Sequence, residues 1–342
     1  MIRFTWMQFR AQALLAIGGL TIAAIVLALT GPHLVYLYDT TVANCSARGD
    51  CPAATTALIN DGDRVGIVLR VVVEVVPALI GFFWGAPLVA RELETGTYRL
   101  AWTQITRTRW IAVKLGLLGL ASMAVAGVLS LMVTWWSSPL DRVRMMPFTS
   151  FDQRGLVPVG YAAFAFVLGV TAGVLIRRTL PAMATALGGF VVARLVVAHW
   201  GRPDLVSPLQ ITVPDTTIAA GGLSSASAGA PDPRDWVISD QTINAKGHVI
   251  GQFGTVGPSG NTTVSVSAHG IAIQGVGSCP NLHSQTPRNV QRCVDQLRVR
   301  EVLTYQPFGH YWAIQWIELA IFLGAAAALS GLCLWWVRRR LT

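Results

Sequence analysis

Hydrophobic and polar residues are segregated along this chain on the scale of whole segments. Runs at about 12–30, 66–90, 112–134, 157–176, 180–199 and 312–337 are apolar almost without interruption, and roughly 20 such residues are what an α-helix needs to cross a hydrocarbon core of about 30 Å. The pattern predicts six transmembrane helices. Between the fifth and sixth, residues 200–311 change character: Gly, Ser, Thr, Pro and Asn dominate and no long apolar run occurs. Within that stretch, 262–267 and 270–274 alternate with period two and predict a hairpin. Thr286 followed by Pro287 reads as the cap and first turn of a helix reaching about Leu303. Residues 1–11 mix Ile2, Phe4, Trp6 and Phe9 with Arg3 and Arg10, which suits either a short interfacial helix or an overhang of the first span. The expected fold class is an all-α polytopic membrane protein with a small α+β extracytoplasmic domain between helices 5 and 6. Its expected divisions are 1–199, 200–311 and 312–342.

Composition sharpens this picture. With 53% hydrophobic and 13% charged residues, the chain departs from the roughly 25% charged content of an ordinary soluble domain. Its formal charge of +9 is a topology signal. Arg3, Arg10, Arg91, Arg99, Arg107, Arg109, Lys114, Arg177, Arg178 and Arg338–Arg340 fall on one side of the predicted spans, opposed there only by Glu92 and Glu94. On the other side bases and acids nearly balance. Basic excess marks the cytoplasmic face, so both termini are expected in the cytoplasm and no nucleic-acid partner is implied. The predicted connections are 31–64 and 135–156 outside, and 91–111 and the tight turn 177–179 inside.

Cysteines fit the same orientation. Cys45 and Cys51, then Cys279 and Cys293, form two spaced pairs on the outer side and suggest two disulfides in an oxidising compartment. The alternative is four unpaired thiols; no spacing suits zinc. Arg70 and Glu74 in the second span, Arg194 in the fifth and Glu318 in the sixth are intramembrane charges. Such charges are costly in lipid and face a bundle interior or watery cavity. They are expected to form an outer charged layer, either as a gate or as static packing. Pro77, Pro87 and the Gly188-Gly189 pair suggest bends and close approach.

No catalytic constellation is present in the sequence. The six histidines lie on the outer side or at its membrane edge, without a His-Glu-x-x-His pattern, and no Gly-x-Ser-x-Gly elbow occurs. The stretch from Gly254 to Thr262 has a superficial likeness to a phosphate loop, but it lacks the lysine and lies outside.

The stretch Arg91-Glu-Leu-Glu-Thr-Gly-Thr, continued by Thr106-Arg-Thr-Arg and by Lys114 at the opening of the next span, resembles the first cytoplasmic loop of permease subunits of the type-2 ABC exporter class. Tyr305-Gln-Pro-Phe-Gly-His-Tyr-Trp-Ala-Ile-Gln-Trp-Ile-Glu resembles the corresponding region of such permeases from high-GC Gram-positive bacteria. The resemblance implies six helices of that kind in a bacterial plasma membrane. It also implies a coupling loop at 91–111, in which Glu92, Leu93, Glu94, Thr95, Gly96, Thr97 and Arg107 meet a separate ATPase subunit. Two such ATPase subunits and a second permease copy, giving a homodimer, would complete the complex. This chain would bind no cofactor, with ATP and Mg held by the partner. A rival expectation is a non-transporting sensor of antibiotic or envelope stress.

Overall fold

The computed structural model describes residues 2–43, 51–96, 106–144, 147–214, 232, 234–243, 249–254, 264–267, 270–273, 277–280 and 300–340. Six helices among them are long and apolar enough to span a membrane, as the hydropathy pattern predicts. The chain divides into two compact units. One comprises Met1–Met145, Thr149–Gly201 and Trp312–Thr342; the other comprises Met146–Phe148 and Arg202–Tyr311.

In the helical unit, α1 (Ile2–Leu37) starts before the first span and continues as a π-helical segment, Tyr38–Val42. α2 (Cys51–Leu79) widens into a π-segment, Ile80–Gly85, and resumes as α3 (Ala86–Thr95). α4 (Arg107–Arg144) is followed by a 3-10 segment, Pro147–Gln153. α5 (Val157–Ile176), α6 (Thr179–Val196) and α7 (Tyr311–Arg340) complete the set.

The connections expected at 31–64 and 135–156 are therefore largely helical. Apolar stripes explain the difference, because Leu34, Leu58, Trp136 and Leu140 lie in one buried cluster with Leu27, Leu69, Val73, Leu129 and Val133. Packing along that stripe, by dispersion within the spans and by loss of water from Leu34, Leu58, Trp136 and Leu140 beyond them, outweighs the local turn signals. Gly62 lets α2 meet this cluster closely; a Cβ there would lie 2.7 Å from Leu140 Cδ2.

α5 is the central helix: 78% of its span is buried, against 6% of that of α1. It lies on the second span backbone to backbone. A Cβ at Gly169 would sit 2.4 Å from the Gly81 carbonyl oxygen and 2.8 Å from the Ala86 nitrogen, and one at Gly85 would sit 2.5 Å from the Phe166 carbonyl oxygen. Gly81 and Gly85 belong to the π-segment that follows Pro77, whose missing N–H already weakens the helical ladder. Gln12 Nε2 of α1 donates to the Phe83 carbonyl at 3.2 Å, satisfying one acceptor of that widened turn. The close approach expected at Gly188-Gly189 lies elsewhere: Gly188 faces open space, and Gly189 meets only the Leu168 side chain.

In the second unit, β1 (Leu209–Pro214), β2 (Trp236–Ile243), β3 (Val249–Gly254) and β7 (Arg300–Gln306) form an antiparallel sheet of order β1-β7-β2-β3. Val237, Leu303 and Tyr305 bury one face of it. The expected hairpin is present as β4 (Val264–Ser267) and β5 (Gly270–Ile273), extended by β6 (Gly277–Pro280). The helix expected to reach Leu303 does not extend that far: Leu303 and Tyr305, two apart and both buried, give 300–306 the period of a strand. The rest of that predicted helix, 286–299, lies outside the described residues, as do Cys45, Cys293 and the side chains of Cys51 and Cys279. Among the described residues no disulfide occurs, and Cys333 is a buried free thiol.

Gly169→Ala should lower stability by about 1–3 kcal/mol through overpacking, because the new methyl meets backbone, which cannot rotate away. Gly188→Ala, facing open space, should leave stability unchanged or slightly raised. Thermal unfolding of the detergent-solubilised variants checks the contrast.

Candidate functional site

At one end of the bundle, α3 stops where Gly96 adopts φ +74, the left-handed conformation that favours glycine at a helix C-terminus. The two acids before it are both engaged within the protein. Glu92 Oε1 lies 2.6 Å from Lys114 Nζ of α4, and Lys114 also sits over the Trp110 ring at 4.5 Å. The ammonium is 3% exposed and the carboxylate 15%. Glu94 Oε2 accepts the backbone N–H of Thr179 at 3.2 Å and its hydroxyl at 2.6 Å. A carboxylate there caps the first turn of α6 and meets the positive end of its dipole. Arg177 takes φ 58 in the preceding two-residue connection, so the fourth and fifth spans form the tight antiparallel pair that the sequence predicts.

Of the other residues in the predicted coupling loop, Leu93 is half-buried and Thr95 Oγ1 donates to the Arg91 carbonyl at 2.9 Å. Arg107 opens α4. Thr97 lies outside the described residues. The structure ties Glu92 to α4, where it is largely covered, and Glu94 to α6, where it stays exposed.

The opposite end holds the intramembrane charges. Arg194 of α6 lies 3.8 Å from a Glu74 carboxylate oxygen and 3.5 Å from one of Asp152, in the 3-10 segment. Its guanidinium sits over the Tyr161 ring, 5.3 Å from the centroid. The Tyr161 hydroxyl is 2.9 Å from Asp152 Oδ1 and 2.5 Å from Glu318 Oε1 of α7, which is 1% exposed. Three of the four predicted charges are thus brought into one network, joined by Asp152 and Tyr161. Arg70 is not among them: it is exposed on α2, and among the described residues it has no ion-pair partner.

Beside this network Gln315, fully buried, uses both ends of its amide. Oε1 accepts the Leu156 and Val157 N–H groups at 3.0 and 3.1 Å, and Nε2 donates to the Phe151 and Arg154 carbonyls at 3.2 Å each. Gly155, at φ +72, leaves room for it; a Cβ would lie 2.8 Å from Oε1. Arg154 grips both carboxylate oxygens of Asp141, which holds the 3-10 segment to α4.

A family model described as ABC-2 membrane transporter related matches residues 17–202, over half of the chain. The chain belongs to that family. No curated protein and no solved structure matches it. The matched region of this ABC-2-related membrane protein holds Glu92, Glu94, Lys114, Asp152, Tyr161, Thr179 and Arg194, whereas Gln315 and Glu318 lie beyond it. It is a multi-pass membrane component related to ABC-2 transporters.

Asp152, Tyr161 and Gln315 were hidden from the sequence reading for different reasons. Asp152 stands in what reads as an outer loop, and Tyr161 passes as one more aromatic residue in an apolar span. Gln315 carried a usable signal, a neutral amide among apolar neighbours near the start of a span, where a buried polar group needs partners.

Glu92→Gln leaves the Lys114 ammonium buried without its counter-charge and should cost about 3 kcal/mol. Lys114→Met should cost less, because the Glu92 carboxylate keeps a path to water. The double variant should recover most of the loss, as a double-mutant cycle of chemical denaturation in micelles would show.

Proposed function

We propose that this chain is the permease subunit of an ATP-driven exporter and that the end of α3 receives movement from a separate ATPase subunit. The observation that carries this reading is the pair of ties leaving one short helix: Glu92 to Lys114 of α4, and Glu94 to Thr179 of α6. A push on 91–96 is passed to both helices through these two contacts. Arg91, Glu94 and Thr95 are exposed and supply the polar face for the partner.

The far end of α6 carries Arg194. Its displacement breaks the contacts with Glu74 and Asp152 and opens the layer closed by Tyr161 and Glu318, so cargo leaves past an outer gate. ATP and Mg are held by two ATPase subunits, a second copy of this chain completes the pathway, and both termini lie in the cytoplasm of a bacterial cell. The positive-inside distribution and the family membership support this arrangement. In it, this chain hydrolyses nothing itself.

Co-purification with an ABC ATPase subunit and reconstitution in liposomes tests the reading. Glu94→Ala and Thr179→Val should each reduce the cargo moved per ATP severalfold, because each removes the side-chain contact that joins α3 to α6, while leaving basal ATP hydrolysis in place. Cargo-stimulated hydrolysis without movement of cargo would favour a sensor instead. Cross-links showing the 91–96 segment remote from the ATPase would overturn the coupling role.

A further inference from the structure

Arg70 is left out of the charged network although it stands one helical turn from Glu74 on α2. Glu74 turns to Arg194 of α6, whereas Arg70 stays exposed and has no ion-pair partner among the described residues. Its height along the helix follows from the sequence. Arg70 precedes Arg91 by 21 positions, about 30 Å of helix at 1.5 Å per residue, and a hydrocarbon core is about 30 Å thick. Arg91 is exposed near the polar end of α3, so with Arg91 in one headgroup layer Arg70 stands at the edge of the other. Every other exposed position from Ile67 to Leu79 is apolar. Four of them, Ile67, Val71, Val75 and Leu79, follow one another at intervals of four and form a single ridge on the helix surface. Arg70 flanks the end of that ridge at Ile67 and Val71.

We propose that this face of α2 holds an anionic phospholipid, with its phosphate on the Arg70 guanidinium and an acyl chain along the ridge. A guanidinium at the membrane edge needs polar partners, because its charge is costly in hydrocarbon, and its planar fork of N–H donors matches two phosphate oxygens at once. A zwitterionic headgroup carries its own ammonium, which competes for the phosphate and leaves no net charge to answer the arginine. Inorganic phosphate offers the same oxygens but no chain to cover the ridge. An isologous contact between two copies through this face would bring the same positions together from each, and none of the exposed ones is an acid. The claim concerns a lipid bound by this chain and holds whether or not lipid is the cargo.

The test puts the photo-cross-linker p-benzoylphenylalanine in place of Val71 in the full chain, reconstituted in nanodiscs of equal parts phosphatidylglycerol and phosphatidylcholine. Mass spectrometry identifies the adducts. Position 25 of α1 is the reference: Ile25 is 53% exposed against 55% for Val71, and no charged residue lies within one helical turn of it. The ratio of phosphatidylglycerol to phosphatidylcholine adducts should be about fivefold higher at 71 than at 25, the enrichment that one basic side chain near anionic lipid gives. Arg70→Gln should bring the two positions to one ratio. Arg70→Lys should keep part of the preference, since the charge survives and the fork does not. Equal ratios at 71 and 25 with Arg70 intact would identify the arginine as a side chain served by bulk lipid and overturn the proposal. So would an excess at 71 that survives Arg70→Gln. Adducts at 71 that are chiefly peptides of a second copy would make the face an interface between protomers and overturn it too. Both probe positions are exposed, so the comparison with Arg70 intact disturbs no core packing.

Discussion

The helical unit depends on bare backbone meeting bare backbone where Gly169 of α5 lies on Gly81, Gly85 and Ala86. In a membrane the hydrophobic effect does not press helices together, since lipid tails are as apolar as the side chains they replace. Association then rests on dispersion at close range and on polar contacts. A crossing that brings carbonyl oxygens within van der Waals reach of a neighbouring helix collects the most dispersion per residue. It also places α5 so that its Tyr161 reaches Arg194, Asp152 and Glu318 at one level.

Given that pillar, the polar contacts occupy corresponding positions on two helices. The second span and α6 touch through Glu94 and Thr179 at one end and through Glu74 and Arg194 at the other. Between these ties, Ala86 and Ala90 of α3 pack with Ala182 and Ala186 of α6 in a cluster of small side chains. Small residues let the two helices approach closely, while the polar ties join them at both ends.

How much of this was legible in the residues varies with the range of the interaction. Spans are written in local hydropathy, so all six were readable, as was the β4–β5 hairpin with its strict alternation. Helix limits were not, because the stripe through Leu34, Leu58, Trp136 and Leu140 becomes a core only when α1, α2 and α4 are side by side. The Glu74–Arg194 contact could be anticipated, since intramembrane charges of opposite sign seek one another. Arg70, one helical turn from Glu74, looked equivalent by spacing, and only packing decides that one faces inward while the other stays exposed. Gly81-x-x-x-Gly85 and Gly169-x-x-x-Gly173 were visible as spacings, but which glycines are in contact is a property of the pair of helices rather than of either sequence.

Gln315 has a consequence for the order in which the protein is made. The first N–H groups of any helix lack partners within it, and those of Leu156 and Val157 are answered by an amide 159 and 158 residues downstream. Five spans must therefore leave the ribosome and wait in the bilayer with the head of α5 unanswered. The sixth span delivers the group that closes it. The head of α5 is thereby closed only when the sixth span is in place, and a chain interrupted before residue 315 leaves those two N–H groups without their amide partner.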